Sequence, residues 1–151
     1  MRKFEQVKKE FRKYTTEDTK LPYRGTKTAV CYDFFAPADV TLPAGKITCV
    51  WTNVKAMFEP DEGLFLATRS SYAARGILLA NGVGIIENDY YENPSTDGNL
   101  GFLLYNINDT DYTIKKGEKV GQGYFAKFLT CEGDAPITTT RTGGFGSTST
   151  R

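Results

Sequence analysis

Two acidic side chains, Glu87 and Asp89, follow an apolar run and stand just before Tyr90. A carboxylate in that setting can take a proton from water, which is what a hydrolytic step requires. Arg69-Ser70-Ser71 places a cation and two hydroxyls where the run Leu64–Thr68 gives way to a turn, a combination able to grip phosphates. Lys119-Val-Gly-Gln122 adds a cation and an amide at the start of the last long run, and Cys31-Tyr-Asp33 sets a carboxylate in an apolar stretch. Taken singly, each segment also reads as an ordinary polar turn or strand end.

The chain has no histidine among its 151 residues. That removes Ser-His and Cys-His nucleophilic pairs, imidazole zinc ligands and histidine bases, so hydrolysis would rest on a carboxylate, a metal or both. A net charge of +1 with 25% charged residues predicts no nucleic-acid footprint. No apolar run approaches the roughly 20 residues of a membrane helix, and no secretory signal is visible at the start. Cys31, Cys49 and Cys131 are odd in number and widely spaced, which suits reduced thiols in a cytoplasmic protein.

The elements that would carry these residues are mostly strands. Short β-rich runs at Ala29–Phe35, Ile47–Trp51, Leu64–Thr68, Ile77–Leu79, Leu100–Ile107, Tyr112–Ile114 and Val120–Phe128 alternate with Pro, Gly and Asn turns. This predicts one all-β domain over 1–137, a sandwich, jelly roll or small barrel. Ahead of it, Phe4, Val7, Phe11 and Tyr14 have helical spacing, with Glu5 and Lys9 as an i,i+4 pair, so residues 1–20 predict a short amphipathic helical extension. The segment Asn81 to Tyr90 reads as the end of an apolar hairpin.

Residues 138–151 form a separate, flexible arm. Eleven of these fourteen residues are Gly, Ser or Thr, which on composition alone predicts disorder. Within it, Arg141 and a lone Phe145 between glycines give one cation, one ring and many donors, chemically suited to closing over a nucleotide.

In this order the polar segments resemble the five motifs of the trimeric dUTPase family. The likeness runs from Leu21-Pro-Tyr-Arg24 to Thr148, about 85% of the chain. Its most specific part is Arg141-Thr-Gly-Gly-Phe-Gly-Ser-Thr148, and Gly84-Ile-Ile-Glu-Asn-Asp-Tyr90 is strong but altered. The resemblance implies a distorted jelly-roll β-barrel, a homotrimer with shared sites, and Mg²⁺-assisted hydrolysis of dUTP to dUMP and pyrophosphate. It implies that Asn81 and the backbone near Gly84 pair with uracil, that Tyr90 packs on deoxyribose, and that Phe145 covers the base. Glu87 would deprotonate the attacking water, with Asp89 the alternative. Arg69, Ser70, Ser71 and Gln122 would bind the phosphate chain, while Arg141, Ser147 and Thr148 would reach the γ-phosphate. Asp33 would hold Mg²⁺ through water, and the closing arm would come from another subunit.

The chain departs from the family pattern at several points. Glu87 stands where aspartate is usual, Lys119 replaces an arginine and Gly121 an alanine, and a longer loop, Tyr91–Gly98, precedes the next strand. Three other readings stay open. A dUTPase-fold nucleotide sensor with weak hydrolysis would use that loop to meet a regulatory protein partner. A deaminase relative would share the fold, though the five-motif match argues against it, and a trimeric structural jelly roll would explain the strands but not the ordered polar motifs.

Overall fold

The computed structural model describes residues 1–146 and 148. Among them run eleven strands: β1 Lys3–Gln6, β2 Tyr32–Phe35, β3 Val40–Leu42, β4 Ile47–Trp51, β5 Val54–Met57, β6 Glu62–Ala67, β7 Ile77–Leu79, β8 Gly84–Ile86, β9 Gly101–Asn106, β10 Tyr112–Ile114 and β11 Lys119–Lys127. One short helix, α1 Ser70–Ala74, leaves β6. The strands pair antiparallel in four small sheets, ordered β2-β11-β6-β8, β4-β9-β7, β1-β5 and β10-β3. Alternate residues of these strands point inward, and Phe34, Leu42, Val50, Leu64, Leu66, Phe102, Leu104, Ile114 and Val120 make one dry core. The architecture is all-β, as the run of short strands predicts.

The helix expected over Lys3–Tyr14 does not form. Residues 3–6 are strand β1, paired with β5, and only Lys9–Phe11 makes a single 3-10 turn. A helix this short is marginal by itself, whereas the strand satisfies β5 and lets Phe4 sink among the rings of Tyr32, Phe34 and Phe125 at 5.3, 5.5 and 5.6 Å. Beyond β1, Asn53 holds the segment in place: its amide bonds the backbone of Lys13 in both directions at 2.8 Å, and its carbonyl oxygen accepts from Val7 N–H. Glu5 pairs with Lys3 and accepts from the Tyr91 hydroxyl, so the Glu5–Lys9 pair of a helix is not made.

The expected hairpin ending near Tyr90 is not one either. β7 pairs with β9 and β8 with β6, so the turn Ala80–Val83 carries the chain from one sheet to another. That crossing leaves a hollow at the seam, floored by Leu66 and Gly101.

The loop Tyr91–Gly98 is tied down over its length. Lys55, buried on β5, donates to Glu92 Oε1 at 2.8 Å and to the buried Asp97 at 3.2 Å. Asp97 also accepts from Lys8 N–H at 2.8 Å, and Asn93 bonds Tyr90 O and the Thr96 hydroxyl. Glu92 and Asp97 adopt φ of 55°, a left-handed backbone these contacts sustain.

Candidate active site

The polar residues singled out from the sequence fall into two groups. In the first, antiparallel register sets Asp33 of β2 opposite Gln122 of β11, which in turn faces Ala67 of β6. Where β6 ends, Arg69 is still extended, with φ −83° and ψ 148°, and Ser70 and Ser71 open α1. The Asp33 carboxylate, largely shielded, meets Lys119 Nζ at 3.1 Å and Arg69 Nε at 3.8 Å. Arg69 Nη1 donates to Ser71 Oγ at 3.4 Å, and Gln122 Nε2 donates to Thr68 O at 3.1 Å. Together with Gly25 and Thr26 they line an open depression of about 670 Å³. Two cations, hydroxyl donors and one carboxylate form a site for a polyanion.

Lys119 and Gly121 make sense together here. The ladder between β11 and β2 slips by one residue between Lys119 and Gly121, a bulge of the kind that re-aims side chains. A Cβ on Gly121 would lie 2.2 Å from the Phe102 ring, so this chain fills with a phenyl the space that an alanine methyl would need.

The second group lies at the seam beside β8. Asn81, Gly84, Glu87 and Tyr90, with Leu66 and Gly101 as floor, line a cavity of about 210 Å³. That is below the roughly 300 Å³ at which drug-sized ligand sites begin, so it suits a single ring. Gly84 must be glycine, because a Cβ there would come within 2.9 Å of Leu66 Cβ. Tyr90 is buried and its hydroxyl donates to Asn99 O at 2.6 Å; burial pushes its phenol pKa up, so the ring stays neutral. Glu87 precedes a 3-10 turn, Asn88–Tyr90, that contains Asp89; both carboxylates are half-exposed, Glu87 at the cavity's rim and Asp89 beside it.

The arm lies across this second cavity of its own chain, where the resemblance implies an arm from another subunit. Arg141 Nη2 reaches Glu87 Oε2 at 3.0 Å, Arg141 Nε is 3.5 Å from Asp89 Oδ1, and the Arg141 N–H donates to Asp89 Oδ2 at 2.9 Å. Thr142 O accepts from Ser95 N–H at 3.2 Å, which joins the arm to the Tyr91–Gly98 loop. Gly144 rides over Tyr90 so closely that a Cβ would be 3.1 Å from its ring. Phe145 sits at the mouth, exposed, with its ring edge-on to Trp51.

The structure therefore brings Asn81, Gly84, Glu87, Tyr90, Arg141 and Phe145 to one hollow, and Asp33, Arg69, Ser70, Ser71 and Gln122 to another, and none of the described residues lines both. Arg141 rests on the acidic pair and does not line the depression that holds Arg69 and Gln122. Thr148 is half-buried at the arm's end, and Ser147 lies outside the described residues. Among the described residues no three acidic or cysteine groups converge on a metal site, and Asp33 stands as a single carboxylate between cations. Sequence reasoning missed Gly25, Thr26 and Gly101, whose glycine and threonine types carry no chemical signal.

Comparison with known proteins points one way. The family model described as dUTPase matches residues 17–149. The deoxyuridine 5′-triphosphate nucleotidohydrolase of Lactococcus lactis is 38% identical over 138 residues, covering 90% of this chain and 92% of that protein. The enzyme of the same description from Saccharomyces cerevisiae is 31% identical, covering 85% and 86%. Among solved structures, the dUTPase from Streptococcus mutans superposes with a TM-score of 0.79 at 37% identity, covering 86% of this chain and 98% of that one.

Proposed function

The chain belongs to the dUTPase family and hydrolyses dUTP, and we propose that it does so by carboxylate-activated attack of water on the α-phosphorus. The observation that carries this mechanism is the place of Glu87, at the rim of a ring-sized cavity and within reach of the arm's arginine. Uracil enters that cavity against Asn81 and the β8 backbone, with Tyr90 beneath the sugar, where a 2′-hydroxyl finds no room. Water beside Glu87 loses its proton to the carboxylate and attacks the α-phosphorus. The bond from that phosphorus to the bridging oxygen breaks, and dUMP and pyrophosphate result.

Arg69, Lys119, Ser70, Ser71 and Gln122 hold the phosphate chain and neutralise the charge that gathers on the leaving pyrophosphate. Since these residues line a different hollow from Glu87, the complete site takes the nucleoside half from one copy and the phosphate half from a second. We infer a homotrimer from this division and from the family resemblance. The arm then shuts the nucleoside half: Phe145 covers the base, and Arg141, with Ser147 and Thr148, turns to the γ-phosphate.

Mg²⁺ fits as a companion of the substrate. One carboxylate without a protein cage matches an ion held mainly by phosphate oxygens and water. When bound, Mg²⁺ supplies further neutralisation of the triphosphate, and Asp33 is the residue that would hold it through water. A related phage dUTPase, of Staphylococcus aureus phage phi11, has a structural Mg(II) ion. Free thiols at Cys31, Cys49 and Cys131 support a cytoplasmic place of action, and among the described residues no helix is long and apolar enough to cross a membrane. The Tyr91–Gly98 loop, bonded to the body and to the arm, gives the regulatory-partner reading no support of its own.

The test is direct. Purified protein with dUTP and Mg²⁺ should release dUMP and pyrophosphate, with far slower release from dCTP and dTTP. Tight, saturable dUTP binding without turnover would overturn the mechanism and mark a nucleotide sensor.

A further inference from the structure

Phe145 does not hang free at the mouth of the ring-sized cavity. Its ring meets Trp51 edge-on, with centroids 6.0 Å apart and planes at 78°. Trp51 closes β4 in register with Gly101, the glycine whose backbone floors the cavity, and a Cβ at Gly101 would come 3.0 Å from the indole. The indole thus packs on the outside of the cavity's own wall. The strand that carries it is held as well: the Tyr14 hydroxyl accepts from the backbone N–H of Trp51 at 3.3 Å and donates to Cys49 O at 3.0 Å, while Lys13 Nζ stands 6.0 Å from the indole ring.

The backbone of Phe145 has φ 49°, a left-handed conformation that a non-glycine residue keeps only where its surroundings hold it. Those surroundings are the Arg141 contacts to Glu87 and Asp89, the Ser95–Thr142 bond and the indole. The first two fix the arm's start; Trp51 is the aromatic neighbour of the Phe145 ring.

We propose that Trp51 is a positioning residue for arm closure: it seats Phe145 beside the cavity before the base arrives. An arm composed mostly of Gly, Ser and Thr loses much conformational freedom when it orders over substrate. A seat that already holds the ring reduces that loss and so acts on nucleotide affinity. This inference rests on the dUTP-hydrolysis reading for its kinetic arm only.

Trp51 is the single tryptophan of the chain, which makes the seat visible without any nucleotide. In the full-length Phe145→Ala protein, Trp51 emission should shift to the red and its quenching by acrylamide should rise relative to wild type. With dUTP, Trp51→Ala should raise KM by about 2- to 10-fold, the range an edge-to-face aromatic pair accounts for, with kcat changed by less. Trp51→Phe, which keeps an aromatic face, should stay near wild-type KM. Unchanged emission and quenching in Phe145→Ala would overturn the seat, as would an unchanged KM in Trp51→Ala. Should Trp51→Ala fail to fold, the Phe145→Ala emission still decides. A wild-type protein without dUTP turnover would sink the hydrolysis reading alone and leave the emission measurement to test the seat.

Discussion

Arg141 touches Glu87 and Asp89 in different ways: its guanidinium lies 3.0 Å from Glu87 Oε2, while its backbone N–H donates to Asp89 Oδ2 at 2.9 Å. Glu87 is therefore held by a side chain that can swing away, whereas Asp89, 3.5 Å from the same guanidinium, is held by the main chain of the arm as well. A triphosphate carries more charge than one carboxylate, so it can draw the guanidinium off and leave Glu87 free to accept a proton, while Asp89 keeps its grip on the backbone.

Glu87→Gln should lower kcat by about 10²- to 10⁴-fold, the usual worth of a general base, while a non-hydrolysable dUTP analogue still binds. Near-normal turnover in this variant would move the role of base to Asp89. Calorimetric titration with the analogue and a pyrophosphate-release assay measure the two halves separately.

Asp89→Asn should weaken closure with the base left in place. Because the carboxylate is half-exposed, the loss of one charge-assisted bond should stay at or below about 1.5 kcal/mol, or roughly tenfold in KM. A drop in kcat as deep as that of Glu87→Gln would contradict this division of labour.

Glu87→Gln and Arg69→Ala proteins, each inactive, should recover activity when unfolded together and refolded as mixed oligomers. With halves drawn at random from two copies, about a quarter of sites combine an intact Glu87 with an intact Arg69. No recovery would mean that both residues act from the same chain.

Gly121→Ala should cost about 1–3 kcal/mol in urea unfolding, because the added methyl meets the Phe102 ring. Adding Phe102→Leu, which removes the clashing ring atoms, should return most of that loss. A neutral single substitution would show that the ring can move aside.

Lys55→Met should cost about 3 kcal/mol, since it strands the buried Asp97 carboxylate with only its Lys8 contacts. Burial works to lower the Lys55 pKa, but the bonds to Glu92 and Asp97 outweigh it and raise it above 10.5. A raised folded-state pKa gives stability that is complete below 10.5 and lost as pH climbs through the raised value. The gap between wild type and variant should therefore persist at neutral pH and shrink in strongly alkaline buffer, as urea midpoints at several pH values would show.

Much of the barrel was legible in advance. Ile47–Trp51, Ile77–Leu79 and Tyr112–Ile114 are strands over the residues expected, since each is a short apolar or β-branched run cut off by turn residues. Val54–Met57 escaped notice because a lysine sits in its middle, and only the tertiary fold supplies the carboxylates that let Lys55 be buried. β1 was hidden behind a helical spacing that pairing with β5 overrides. For the site, residue types and order identified the chemistry, including the acidic pair and the arm's arginine. Its partition into two hollows depends on β7 and β8 joining different sheets, which no local pattern encodes. Trp51 belongs to no motif at all.

The stitching of residues 3–13 to the Tyr91–Gly98 loop sets a schedule for the chain as it is made. Lys8 and its Asp97 partner are 89 residues apart. At roughly 5–20 residues per second, about 4–18 seconds separate their synthesis. Until β5 is made the pairing edge of β1 stays open to wrong partners, and for the rest of that interval β1 lacks the loop that pins the turn after it. Translation that stalls before Asp97 would leave the nascent protein with the turn after its first strand unpinned.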